Sequence, residues 1–186
     1  MAFCAYVFLF LLVTLRLHEF IPPFTWGYDA KLMLFPVAFY AAAVVVPFPV
    51  MLLFAFTMGL LWDGRYAVIT GNEQIDLEFG YSILLFALMG SLMQGIRPMF
   101  RRGRWELPVL MVGIATMSYL AVEFLFLNFR RGEFYFPKEI WYKIWTSALL
   151  SVLVAPFFFL GLHWLAKKTN FKIRYEGLYR YSQSRT

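Results

Sequence analysis

Cysteine is nearly missing from this chain, and charge is scarce. Cys4 is the only thiol in 186 residues, so no intramolecular disulfide can form. Charged residues make up 15% of the chain, where a soluble domain of ordinary composition carries about a quarter. The two histidines, His18 and His163, stand far apart, and no Cys or His cluster has metal-ligand spacing. Absent as well are a GxxxxGK phosphate loop, a GxSxG elbow and a GxGxxG turn. The nearest miss is HEFIP at 18–22, which opens like a zinc-protease helix but puts Pro22 where the second histidine belongs. No catalytic group, metal or cofactor is therefore expected, and the chain is read as a non-enzyme.

What is present is apolar bulk. Hydrophobic residues make up 61% and aromatics 21%, with mean hydropathy +0.65. They come in blocks rather than stripes, at 1–20, 32–62, 77–96, 107–129 and 140–166. A bilayer-spanning helix needs about 20 mostly apolar residues. The fold class expected is all-α, a polytopic membrane protein. The first block, MAFCAYVFLFLLVTL, lacks a basic n-region and a cleavage site, so it is expected to remain as a span. Block 32–62 is too long for one span, since it would reach about 46 Å against a hydrocarbon core of about 30 Å. At its middle, VPFPV (46–50) carries Pro47 and Pro49, which remove two backbone donors and push their preceding residues out of helical geometry. Two spans joined by a tight turn are expected there, making six transmembrane helices over residues 1–166, followed by a basic, aromatic tail over 167–186. No connecting segment exceeds about 20 residues, which leaves no room for an extramembrane catalytic domain.

Lysine and arginine accumulate in cytoplasmic loops. Arg97, Arg101, Arg102 and Arg104 form one cluster, and Lys167, Lys168, Lys172, Arg174, Arg180 and Arg185 another. Two predicted spans separate them, so both fit the cytoplasmic side, which puts both termini there too. The acidic loop with Asp63, Glu73, Asp76 and Glu78 suits the opposite side. Trp26, Trp62, Trp105, Trp141, Trp145 and Trp164 all lie near predicted helix ends, as interface-seeking indoles should. The net charge of +6 sits in these juxtamembrane patches, so the partner surface expected is an anionic membrane rather than nucleic acid. The tail, with Phe171, Tyr175, Tyr179 and Tyr181 among its basic residues, reads as a surface anchor or a docking strip.

Polar groups at membrane depth are costly, which makes them candidate sites. Ala55, Gly59 and Asp63 are spaced four apart and share one helical face, where small residues let another backbone approach. Asp63 is read either as an interfacial residue ending a helix beside Gly64 and paired with Arg65, or as a helix-packing and partner-docking corner. Glu123 lies deep in the fifth span with Tyr119 one turn away, a satisfied packing residue or an intramembrane polar site. Gln94, Asn128 and His163 read as interfacial, and Ser91 with Gly95 as a further packing face.

The residues Gly59-Leu-Leu-Trp-Asp63, then Phe79-Gly80-Tyr81-Ser82 opening the next span, a basic loop after it, and Pro156 in the last span resemble the rod shape-determining protein MreD family. The resemblance implies a bacterial inner-membrane protein of the cell-elongation machinery that organises peptidoglycan synthesis. It further implies an MreC-like partner, an MreB-type filament and a peptidoglycan synthase complex close by, with Ala55, Gly59, Asp63, Gly80 and Pro156 as partner or packing residues. It also implies a fold similar to the substrate-binding subunits of energy-coupling-factor vitamin transporters. That likeness supplies the rival function, a small-molecule-binding transporter subunit.

Overall fold

The computed structural model describes residues 2–24, 30–66, 80–97, 106–132 and 137–171. Among them are six helices, α1 (Ala2–Phe20), α2 (Leu34–Val45), α3 (Phe48–Tyr66), α4 (Tyr81–Gly95), α5 (Glu106–Arg131) and α6 (Lys138–Lys168). No strand occurs among the described residues; one isolated bridge joins Phe24 to Ala30. Three helices are long and apolar enough to cross a membrane, within Ala2–Phe20, Glu106–Phe129 and Lys138–Lys168. These point to a membrane protein. The other three are shorter apolar helices.

The VPFPV stretch breaks the long apolar block into two helices. Val46 stands before Pro47 in extended backbone, φ −83° and ψ 157°, as a pre-proline residue must. Pro49 is tolerated because it falls in the first turn of α3, where its missing N–H has no helical partner to lose. The Pro47 carbonyl then accepts the Met51 N–H at 2.9 Å and starts α3. The chain reverses here, since Phe35 at the start of α2 stacks on Trp62 near the end of α3, with ring centroids 5.1 Å apart.

The reversal leaves the last carbonyls of α2 without helical donors. They are taken from α4. The Gln94 amide donates to the Ala43 and Val46 carbonyls at 2.5 and 2.7 Å, and the Arg97 guanidinium donates to the Val45 carbonyl at 3.0 Å. Gln94 is thus a structural residue of the turn rather than an interfacial one. Arg97, expected in a cytoplasmic basic patch, spends part of its guanidinium on the same turn.

α2 is the axis of the bundle. All of its residues but Leu34 are buried, beneath α1, α4, α5 and α6. An aromatic group fills one side of it. Phe86 of α4 meets Phe39 at 5.0 Å, Phe35 edge-on at 5.5 Å and Tyr119 of α5 stacked at 5.6 Å. Trp62, expected at the lipid interface, is turned inward instead, 6% exposed and packed on Phe35 and His18. Trp141, Trp145 and Trp164 of α6 remain exposed.

α6 closes the bundle against α1. Asn170, at φ 51°, takes the left-handed position after the helix, and the Phe171 N–H reaches back to the Ala166 carbonyl at 2.9 Å. Phe171 then stacks on Phe3 with centroids 4.3 Å apart, so the first and last described residues share one end of the bundle. The expected division at 166/167 falls inside this arrangement, because α6 runs through Lys168 and Phe171 is packed. Of the tail, residues 172–186 lie outside the described residues, as do Arg101, Arg102, Arg104, Trp26, Trp105 and the acidic positions 73, 76 and 78.

Between lipid-facing helices, packing and small residues rather than hydrophobic burial drive association. The most extensively packed helix pair among the described residues is α3 with α4. A Cβ added to Gly59 would stand 2.6 Å from the Ile83 Cα, a backbone atom that cannot swing aside. Gly59→Ala is therefore expected to lower stability by about 1–3 kcal/mol through overpacking. Gln94→Leu, which strips two carbonyls of their donor, should cost a comparable amount, about 1–3 kcal/mol. Unfolding of the detergent-solubilised chain by denaturing micelles checks both.

Candidate functional site

Asp63, Gly80, Tyr119 and Glu123 converge at one end of the bundle, where α1, α3 and α5 finish and α2, α4 and α6 begin. Asp63 is the pivot. One of its carboxylate oxygens, Oδ2, accepts the N–H of Gly80 at 2.8 Å and of Ser82 at 3.3 Å. These are amides at the start of α4, where helices present unpaired donors and a partial positive charge. Asp63 therefore acts as an N-cap supplied by a different helix. Gly80, the residue before α4, has φ +102°, a conformation that disfavours any side chain with a Cβ.

Ala55 and Gly59 lie below Asp63 on the same face of α3. Ala55 is wholly buried and Gly59 touches the α4 backbone at Ile83. Their small size is used within the chain, to let α4 approach, and this face is covered by α4 rather than open to a second protein. The Arg65 side chain, considered as a partner of Asp63, lies outside the described residues. Pro156 is remote from this end. It is half-buried inside α6, one turn beyond Val152, whose side chain packs over Gly113 of α5. Having no N–H, it leaves the Val152 carbonyl without its helical donor. Lys167 and Lys168 form the last turn of α6 at the opposite end, with the Lys168 ammonium 5.0 Å from the centre of the Trp164 ring.

Ser82 links the Asp63 corner to Tyr119, one turn before Glu123. Its N–H is held by Asp63, and its hydroxyl lies 3.5 Å from the Tyr119 hydroxyl. The Trp62 side chain also hydrogen-bonds to Tyr119; because an indole can only donate, the Tyr119 oxygen is the acceptor. Glu123 follows one turn later on the inward face of α5 and feels the charges of Lys143 on α6 and Asp63 on α3. The sequence thus presented two separate candidates, Asp63 with Gly80 and Glu123 with Tyr119, and the fold joins them into one polar network.

Tyr40 escaped the sequence reading, and Tyr81 figured there only as part of the motif opening α4. Tyr40 is fully buried in α2, and Tyr81 opens α4. Each lies within electrostatic reach of Glu123, and each hydroxyl is buried with no hydrogen-bond partner among the described residues. Lys31, in the segment before α2, lies near Lys143. Burial first, and then the Lys143 ammonium, hold the Lys31 amine below the usual lysine range. The one available signal was Tyr40 itself, a lone hydroxyl in the otherwise apolar run LFPVAFYAAAVV.

Chemically, the site offers a carboxylate, phenolic hydroxyls and aromatic faces. Among the described residues no three His, Cys, Asp or Glu side chains are grouped so as to hold a metal ion. No family model matches the chain, and neither a curated protein nor a solved structure matches it.

Asp63→Ala removes the acceptor of two amides and is expected to cost about 1.5–3 kcal/mol, the range for hydrogen bonds to a charged group. Asp63→Asn keeps a carbonyl oxygen at the same reach and should lose less. Unfolding measured for the pair separates charge from hydrogen-bond geometry; equal stability of all three proteins would contradict the capping role.

Proposed function

We propose that the chain is a non-enzymatic scaffold in the inner membrane of a bacterium, similar to MreD. It would work in the cell-elongation machinery beside a peptidoglycan synthase complex and an MreB-type filament, with an MreC-like protein as its direct partner. The observation that carries this reading is the contact among the residues behind the resemblance. Gly59 sits against Ile83 of α4, and Asp63 holds the Gly80 amide at 2.8 Å, so Gly59, Asp63 and Gly80 form one interhelical corner.

In this reading all six helices cross the bilayer. Support comes from alternating helix directions and from the shared end of Phe3 and Phe171. Trp145 and Trp164 on α6 are 19 residues apart, about 28 Å along a helix. That separation matches a hydrocarbon core of about 30 Å with an indole at each interface. α2, with 12 residues, is too short to span that core, but it meets protein on most sides rather than lipid. Arg97, Lys167 and Lys168 fall at the end shared with Phe3 and Phe171, and the two dense basic clusters of the sequence to which they belong assign that end to the cytoplasm. Asp63 and Glu123 then lie toward the outer surface.

A second reading is favoured by one feature that scaffolding does not need. The buried, unpartnered hydroxyls of Tyr40 and Tyr81 beside Glu123 suit the substrate-binding membrane subunit of a small-molecule transporter, of the vitamin type. Fold likeness alone does not choose between these functions.

The scaffold reading predicts that the tagged chain, solubilised in mild detergent, co-purifies with an MreC-like protein, and that Asp63→Ala lowers the yield of the complex. Failure to recover any shape-complex component would overturn it. The transporter reading predicts a small molecule retained on the purified chain in native mass spectrometry, which the scaffold reading does not.

A further inference from the structure

α6 is longer than the hydrocarbon core requires. Its 31 residues reach about 46 Å, where the core is about 30 Å thick and the whole bilayer with its headgroups about 40–45 Å. With Trp164 at one boundary of the core and Trp145 at the other, the turns from Lys138 to Lys143 stand outside it, about 3 to 10 Å past Trp145. That is the headgroup layer and its surface. α5 reaches the same level. Val152 of α6 packs over Gly113 of α5, and the two helices run antiparallel, so Phe126, thirteen residues after Gly113, stands level with Glu139, thirteen before Val152.

Burial changes at this level. From Ile144 onward α6 keeps one side against the bundle, but Lys138, Glu139, Trp141, Tyr142 and Lys143 are all exposed and only Ile140 among them is half-buried. The start of α6 therefore stands clear of the other helices. Trp141 is 44% exposed, Tyr142 57%, and Phe126 at their level 50%. In water these rings form an apolar patch; between hydrocarbon and headgroups, indole and phenol rings are favoured. Charge points to the same layer. From Leu125 to Trp145 the sequence carries Arg130, Arg131, Lys138 and Lys143 against Glu133 and Glu139, an excess of two positive charges. This end of the bundle is opposite the cytoplasmic clusters, so the sorting of lysine and arginine into cytoplasmic loops does not account for its cations. An anionic leaflet does, because it attracts lysine and arginine held close to its surface.

We propose that the α5–α6 tip is an interfacial anchor for anionic phospholipid, with Phe126, Trp141 and Tyr142 among the glycerol groups of the outer leaflet and Lys138 and Lys143 on its phosphates. The tip takes lipid rather than a second protein because the depth of the rings, the depth of the lysines and the sign of the charge all match one layer of the bilayer. The inference goes beyond both readings above and requires of them only that α5 and α6 cross the bilayer with this end outward.

The test uses the full chain with Cys4→Ala and Ile140→Cys, a fluorophore on the introduced thiol, in nanodiscs of phosphatidylcholine and phosphatidylglycerol in equal amounts. One sample contains phosphatidylglycerol with a nitroxide near the glycerol, the other phosphatidylcholine with the same nitroxide. Quenching by the labelled phosphatidylglycerol is expected to exceed quenching by the labelled phosphatidylcholine roughly two-fold or more at equal mole fraction. Lys138→Gln combined with Lys143→Gln should remove the excess, and so should salt at about 1 M, where the Debye length falls to about 3 Å. If the double variant does not fold, the two single variants carry the comparison. Equal quenching by the two lipids, or an excess that survives both the variants and the salt, overturns the anchor. Absence of quenching by either lipid overturns it as well, and places the tip in water or against protein. Failure to recover an MreC-like partner in the co-purification leaves each of these outcomes as it stands.

Discussion

One carboxylate oxygen taking the first amides of a neighbouring helix is the interaction on which the rest depends. Helix termini leave backbone donors without helical acceptors, and in hydrocarbon no water replaces them. α4 has neither Ser, Asp nor Asn of its own at its cap; Gly80 stands there with no side chain to offer. Asp63 supplies the acceptor from α3. For it to reach, the two helices must approach closely, and Gly59 permits this by bringing the backbone of Ile83 into contact. Cap and close approach therefore require each other: a larger residue at 59 would push the carboxylate off the amides, and a shorter one at 63 would leave the approach without its hydrogen bonds.

The other end of α4 solves the mirror problem. There the orphans are carbonyls at the end of α2, created by the Pro47 break, and the donors are Gln94 and Arg97. α4 thus carries no polar stripe for solvent. Its first amides, at Gly80 and Ser82, are capped from α3, its Gln94 closes the end of α2, and the stretch between is packed on Phe35, Phe39 and Tyr119 through Phe86. The helix is a strut tied at both termini, which holds α2 at the bundle centre although α2 is only 12 residues long.

The periodic and steric features were legible in the sequence. Two prolines in VPFPV specify a break, and the structure ends α2 at Val45 and begins α3 at Phe48. The four-residue spacing of Ala55, Gly59 and Asp63 specifies one helical face, and that face meets α4. Side-chain direction at helix ends was not legible. Trp62 and Gln94 were placed by their nearness to a helix end, a rule that describes residues facing lipid. Both face inward, because Trp62 continues the buried side of α3 and Gln94 answers carbonyls 48 and 51 residues earlier. Tyr40 was hidden for a related reason. Within an apolar run its ring is indistinguishable from the surrounding phenylalanines, and only the tertiary fold brings its hydroxyl toward Glu123.

The site also explains why this end of the bundle differs from the rest of the interior. Thr14, Thr116 and Ser151 return their hydroxyls to carbonyls three or four residues earlier in their own helices, and so add no polarity to the core. Tyrosine cannot do this, since its hydroxyl stands at the far end of a rigid ring. Tyr40, Tyr81 and Tyr119 therefore carry hydrogen-bonding capacity across helix boundaries toward a common point, and Tyr119 uses part of its share on Ser82 and Trp62. Phenylalanine would fill the same space as Tyr40 without the orphaned hydroxyl.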